Sequence, residues 1–242
     1  MKKIKHIIFL TLLILLSNSL KSQFFSNKTT EFNLEERDNR NWNLGFYLGY
    51  NLLQYSIETN PNISLSNKPT VSYKSNGGLN IGLMLKRRLI DNLDLRFEPG
   101  AIFVDRSITF EELDPLINST NTRSKPSTYI YLPLVIDFHG NRHYNVRSFI
   151  STGIAYLYNI QSKENNVEDN QQNIFRTTSN NFAAQAEIGL NIYFNKFKLT
   201  PSIKGLFFLN NELVKDNTGT LMQAETIKDI RTNGLMLSFK FE

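Results

Sequence analysis

Few residues of this chain have both the type and the spacing that chemistry needs. There are three histidines and no cysteine among 242 residues, and one histidine, His6, lies in an N-terminal leader-like segment. The other two, His139 and His143, stand four apart with Asp137 just before them. On a helix that spacing puts two imidazoles on one face, as a metal-binding pair requires. Here the local pattern is a strand end running into a turn, His139-Gly140-Asn141-Arg142-His143, so the helical geometry does not apply and the pair reads as a hydrated turn. A hydrolytic triad needs a nucleophile, a base and an orienting acid in mutual contact, and the two remaining histidines fall at the end away from the long polar loops. No catalytic, metal or cofactor site is therefore expected.

The charges that matter are of another kind. Arg96, Glu98, Glu187, Lys198 and Lys204 occupy polar positions inside runs that otherwise alternate with apolar residues. A charge enclosed in a narrow space is costly unless it is paired. These residues are accordingly expected to pair or to hold water, with Glu187, Lys204, Arg96 and Glu98 as the structural lumen charge pairs.

The element that must position Glu187 and Lys204 is the stretch Asn180 to Val214. If Asn195-Lys196 forms a hairpin loop, Phe194 faces Phe197. One face then carries Phe182, Ala184, Ala186, Ile188, Leu190, Ile192 and Phe194, and the other carries Gln185, Glu187, Gly189, Asn191 and Tyr193. In that register Glu187 lies across from Lys204, as an opposite-charge cross-strand pair. A period of two sustained over about ten residues is the mark of a strand crossing a membrane.

Similar runs recur along the chain: Trp42 to Tyr55, Gly77 to Arg87, Leu93 to Ile108, Thr128 to Phe138, Tyr144 to Ile160 and Arg231 to Glu242. With the hairpin they make eight, and their connections alternate long and short throughout. Outer-membrane barrels have even strand numbers, short periplasmic turns and long extracellular loops. The predicted fold is thus all-β: an eight-stranded antiparallel up-and-down transmembrane β-barrel with four long extracellular loops. Trp42, Phe138, Phe194, Phe197, Phe239 and Phe241 gather at its predicted periplasmic end, as an interfacial girdle does. After Pro99-Gly100, the apolar Ile102, Val104 and Ile108 read as outward residues on a shifted parity, which implies a bulge at that point. Leu206 and Phe208 point inward near the outer mouth. Eight strands leave an interior just wide enough for side chains to fill, so a structural plug is expected rather than a path for protein.

The first 22 residues have the layout of a secretory signal: Lys2, Lys3 and Lys5, an apolar stretch from Ile7 to Leu16, and cleavage between Ser22 and Gln23. Removing the four lysines of that segment from the total of 27 Lys+Arg leaves 23 basic residues against 22 acidic ones. Overall basicity then gives no support to nucleic-acid binding. The expected organisation is a signal peptide over 1–22, a polar periplasmic lead-in over 23–41 and the barrel over 42–242.

The strings RFEPG, YLPL and TPSIKG…NNELV, with GLNIGLMLKRRLIDNLDL upstream, resemble the PorT family. Those are outer-membrane barrels of the type IX secretion and gliding machinery of Bacteroidota. The resemblance extends from about Trp42 to Glu242. It implies a non-enzymatic accessory or assembly role, exercised through contacts with other secretion components in outer-membrane lipid. A narrow solute pore and an adhesin-like barrel are the competing readings of the same fold.

Overall fold

The computed structural model describes residues 33–34, 36, 40–59, 70–111, 120–124, 126–162, 164, 176–214 and 227–242. The expected signal peptide, its cleavage point at Ser22 and Gln23, and most of the lead-in lie outside the described residues. No helix among the described residues is long and apolar enough to cross a membrane, which says nothing about strands.

Ten strand segments run in chain order: β1 (Trp42–Thr59), β2 (Thr70–Ile90), β3 (Leu93–Phe97), β4 (Gly100–Glu111), β5 (Thr120–Ser124), β6 (Ser127–His139), β7 (Val146–Asn159), β8 (Asn180–Tyr193), β9 (Lys198–Phe208) and β10 (Ile227–Phe241). Every pairing is antiparallel. β3 with β4, and β5 with β6, each occupy one position in the wall. β1 pairs with both β2 and β10, so the eight positions close into a ring. Closure leaves no strand edge in the wall at that level, as hydrocarbon demands of a backbone that cannot turn to water.

The alternation of the sequence sets the two faces. Along β1, Leu44, Phe46, Leu48, Tyr50 and Leu52 are exposed, whereas Tyr47, Gly49, Asn51 and Leu53 are buried. Large apolar side chains outside and asparagines inside invert the pattern of a water-soluble sheet. It is the arrangement that lipid stabilises, because the aliphatic wall is already in its preferred solvent. At the short-turn end the Phe46 and Phe241 rings stack at 5.1 Å and those of Phe194 and Phe197 at 4.8 Å. The Arg87 guanidinium lies 5.2 Å from the centre of the Trp42 ring. The girdle is therefore a connected set of rings, closed partly by β1 meeting β10.

The β8–β9 hairpin turns at Asn195-Lys196, where the Phe194 amide donates to the Phe197 carbonyl at 2.9 Å. Its register sets Glu187 opposite Lys204.

The expectation of a bulge after Pro99 is overturned. From Phe97 to Ile102 the partners on β2 run from Leu85 to Asn80 without a shift, and those on β6 run from Leu134 to Tyr129. Ile102 and Val104 consequently keep the parity of Arg96 and Glu98 and are buried inside the ring. Pro99 only interrupts the ladder, since it has no N–H to give. The bulge sits instead on β2, between Ser75 and Gly77, with Gly77 at a φ of 77°. Such a left-handed backbone is the conformation that glycine tolerates and side chains resist.

Candidate functional site: the barrel lumen

The inward parity of eight strands collects its polar residues into three layers. Nearest the short turns, Lys86 reaches Glu242 at 3.3 Å and Asp94 at 3.8 Å, and Lys198 also pairs with Glu242. His139 Nε2 lies 2.8 Å from Asp94 Oδ2, and Thr200 donates to Asn191 at 2.8 Å. Burial alone would push the Glu242 carboxyl up. Lys86 and Lys198 more than reverse this and hold it at about 2.

The middle layer is built around Arg96. Its guanidinium contacts Glu98 at 3.0 Å, Asp137 at 2.9 Å and Glu187. Lys204 reaches Glu98 at 2.7 Å, while Lys240 bridges Glu98, at 3.2 Å, and Glu187. Three cations thus face three carboxylates, all at or near zero exposure. The Tyr131 hydroxyl donates to Gln185 and lies 3.3 Å from Lys204. Tyr47 lies along the inner wall over β2 and β4 and donates to the Glu98 carbonyl at 3.3 Å. Room for its ring exists because Gly82 and Gly100 lack a Cβ; one built at either would collide with the phenol.

Towards the long connections, an apolar layer seals the interior with Leu53, Ile102, Val104, Leu157, Leu206, Phe208 and Met236. Beyond it Arg106 donates to Thr232 and to Tyr129, each at 2.7 Å. Those two hydroxyls donate in turn to the two carboxylate oxygens of Glu212, Tyr129 at 3.0 Å. Glu212 lies outside the strands, between β9 and β10, yet it is fully buried. Burial raises its pKa, against the pull of Arg106 and the hydrogen bonds from Thr232 and Tyr129.

Among these contacts, cations and carboxylates match in number: Arg106 with Glu212; Arg96, Lys204 and Lys240 with Glu98, Asp137 and Glu187; Lys86 and Lys198 with Asp94 and Glu242. A pore that attracts ions keeps a surplus of one sign along its wall. Here each side chain faces an opposite charge, and an apolar stopper lies between the upper two layers. The lumen is packed as a plug.

The expected site residues meet in this plug, but with exchanged partners. Arg96 does contact Glu98. Glu187 and Lys204 stand opposite one another, while among the described ion pairs Lys204 turns to Glu98, and Glu187 is held by Arg96 and Lys240. His139 is corrected from a hydrated turn to a buried lumen residue, because its position continues the inward parity of β6. His143 does lie in the turn, its ring 4.6 Å from that of Tyr144. Asp94, Lys86 and Lys240 were not among the expected lumen charges, although each sits at an inward position of its strand. Glu212 had no such signal, since it belongs to no alternating run.

The outer membrane protein beta-barrel domain family matches residues 22–214, well over half of the chain. The chain belongs to that family. Membership places the protein in the outer membrane, in agreement with its inverted faces. Among solved structures, the chain is similar to the solid-state NMR structure of the outer membrane protein AlkL in DMPC bilayers. That match has 14% identity and a TM-score of 0.43, and covers 91% of this chain and 95% of AlkL. It is similar also to OprG of Pseudomonas aeruginosa, with 11% identity, a TM-score of 0.42, and coverage of 83% and 92%. The N-terminal β-barrel domain of OprF from the same organism gives 12%, 0.32, and coverage of 82% and 97%. No curated protein matches the sequence.

Proposed function

We propose that this family member is a non-enzymatic component of type IX protein secretion of the PorT kind, working as an accessory or assembly factor through contacts with other secretion components. The observation that carries the reading is the plugged lumen, together with the resemblance of the RFEPG, YLPL and TPSIKG…NNELV strings. A ring of eight strands has no room for a secreted protein, and its layers are filled by paired charges and apolar side chains. A role in secretion then has to be exercised from the surfaces at the two rims. In the proposed orientation the short turns and the N-terminal segment face the periplasm, and the long connections face outward. Asn33, from the expected lead-in, fits this arrangement: it hydrogen-bonds Asn145 at 2.9 Å and the Tyr193 carbonyl at 3.1 Å, both at the short-turn end.

The test pairs two measurements. Deletion of the gene should trap cargo that carries C-terminal sorting domains inside the cell, and purified protein in planar bilayers should show no steady conductance. An unchanged secretome from the deletion strain, with ion conductance by the purified barrel, replaces this reading with that of a solute pore.

A further inference from the structure

Towards the long-connection end, the wall parts between β1 and β2. Among the described residues, these strands pair from Trp42 with Arg87 up to Asn51 with Gly78 and no further. β1 continues against β10 as far as Thr59 with Ile227, and β2 continues against β4 as far as Thr70 with Glu111. The cause is local. The bulge between Ser75 and Gly77 adds a residue to β2 and bends it, as bulges do. Among the described residues, one hydrogen bond joins the two strands beyond it, from Ser75 Oγ to the Leu53 carbonyl at 2.8 Å.

The ladder tells which backbone groups face this parting. In an antiparallel strand, successive residues turn their N–H and C=O to opposite neighbours. The Asn41 carbonyl accepts from the Arg88 amide, and the Leu53 carbonyl accepts from Ser75. Odd-numbered residues of this strand therefore address β2. Tyr55 and Ile57 come next, and among the described residues neither has a ladder partner on that side. Their side chains point into the ring, where Tyr55 packs with Ile227 and Ile230, and Ile57 and Leu213 lie against that cluster. On the outer face Gln54, Ser56 and Glu58 are exposed, with Glu58 paired to Lys228 at 2.8 Å. The edge thus stands clear of the apolar band, at the level of water.

We propose that this edge receives an extended segment of a partner protein, added as a strand beside β1. The segment would carry apolar residues at every second position, to continue the floor of Tyr55 and Ile57, and polar residues between them. Backbone chemistry selects the occupant. Donor and acceptor recur every second residue, about 6.6 Å apart along the strand, and another extended backbone matches that spacing where a lipid chain or a sugar does not. Strand addition to a free edge is a general mode of peptide capture, with backbone bonds giving affinity and alternate side chains giving choice. The inference refines the contact reading proposed above. Its test involves no secretion, so the two fail separately.

Amide exchange on the purified barrel in detergent reads the edge directly. In the free protein, the Tyr55 and Ile57 amides should exchange on the order of 100-fold faster than those of Gln54 and Ser56, whose amides turn to β10. A capped peptide of alternating valine and threonine should slow Tyr55 and Ile57, and the same peptide methylated at every amide nitrogen should not. Ile57→Pro removes a donor that addresses the parting and leaves the β10 ladder whole. It should weaken the peptide's effect roughly tenfold, the worth of one hydrogen bond. Three outcomes overturn the proposal: equal protection of all four amides in the free barrel; protection that grows with barrel concentration alone, which makes a second copy the occupant; or no slowing at millimolar peptide. The first and third are read on the unmodified protein, so they hold even if the proline variant does not fold.

Discussion

Lys204 and Glu187 face each other across the β8–β9 hairpin, yet the Lys204 ammonium makes its ion pair with Glu98 of the β3–β4 wall, 2.7 Å away. Cross-strand position fixes where a Cβ stands, and the four-carbon stem of a lysine then reaches over a narrow interior. The partner is decided by the whole ring. Glu187 is left to Arg96 and Lys240, which come from two further strands.

A double-mutant cycle should separate these relationships. Removing one member of a buried pair strands the other, at a cost of about 3–5 kcal/mol. Lys204→Met and Glu98→Gln should each destabilise the barrel, and their combination should lose less than the sum, with a coupling of roughly 1–3 kcal/mol. Lys204→Met with Glu187→Gln should come closer to additivity. Urea unfolding in lipid bilayers measures all of these, and equal coupling in the two cycles contradicts the observed pairing.

The register, the two faces and the ring were legible in the sequence because a period of two is the signature that lipid outside and side chains inside impose on a strand. What misled was the rule that apolar means outward. Ile102 and Val104 obey the parity of Arg96 and turn inward, where they help to form the stopper. Lys240 was hidden between Phe239 and Phe241, whose rings belong to the girdle. Glu212 could not be found by any period, since a connecting segment carries it into the mouth. Sequence alternation gives a residue's side of the wall; the partner it meets inside depends on strands far away in the chain.

Glu242 should link stability to acid. Its carboxyl sits at about 2 in the folded barrel, against 4.5 for an unperturbed side chain. A group whose folded pKa is depressed contributes stability that is present above the unfolded value and is lost as pH falls through the folded one. The stability difference between the parent protein and Glu242→Gln should thus be constant above about pH 5 and shrink steadily towards pH 2. Urea titrations at several pH values measure it, and a difference independent of pH across that window refutes the pairing with Lys86 and Lys198.

Glu212 should behave with the opposite sign. Burial raises its pKa, so its contribution is fully present below the unfolded value of 4.5 and is lost as pH rises through the folded one. The Glu212 amide, which donates to the Ile230 carbonyl at 2.8 Å, and that of Thr178, which donates to the Glu212 carbonyl at 2.9 Å, report on this segment. Their protection should increase on acidification, and Glu212→Gln should remove most of that dependence. Protection that falls on acidification in the parent protein, while the stopper residues stay protected, would contradict a raised carboxyl.

Orientation is the prediction on which the proposed contacts depend. All the short connections lie at one end of the ring, near Trp42 and Phe241, and barrels of this architecture keep short turns in the periplasm. Asn33 docks at that same end, through Asn145 and the Tyr193 carbonyl, so this residue and the short turns share one side of the ring. Single cysteines are clean probes because the chain has none of its own. Cysteines at Ser66, Asn118, Asn166 and Asn217, in the four long connections, should react with an impermeant maleimide on intact cells. Cysteines at Asn92 and Asn141, in the short turns, should react only once the outer membrane is opened. The reverse pattern would turn the barrel over, and with it the side from which a partner strand reaches the edge at Tyr55 and Ile57.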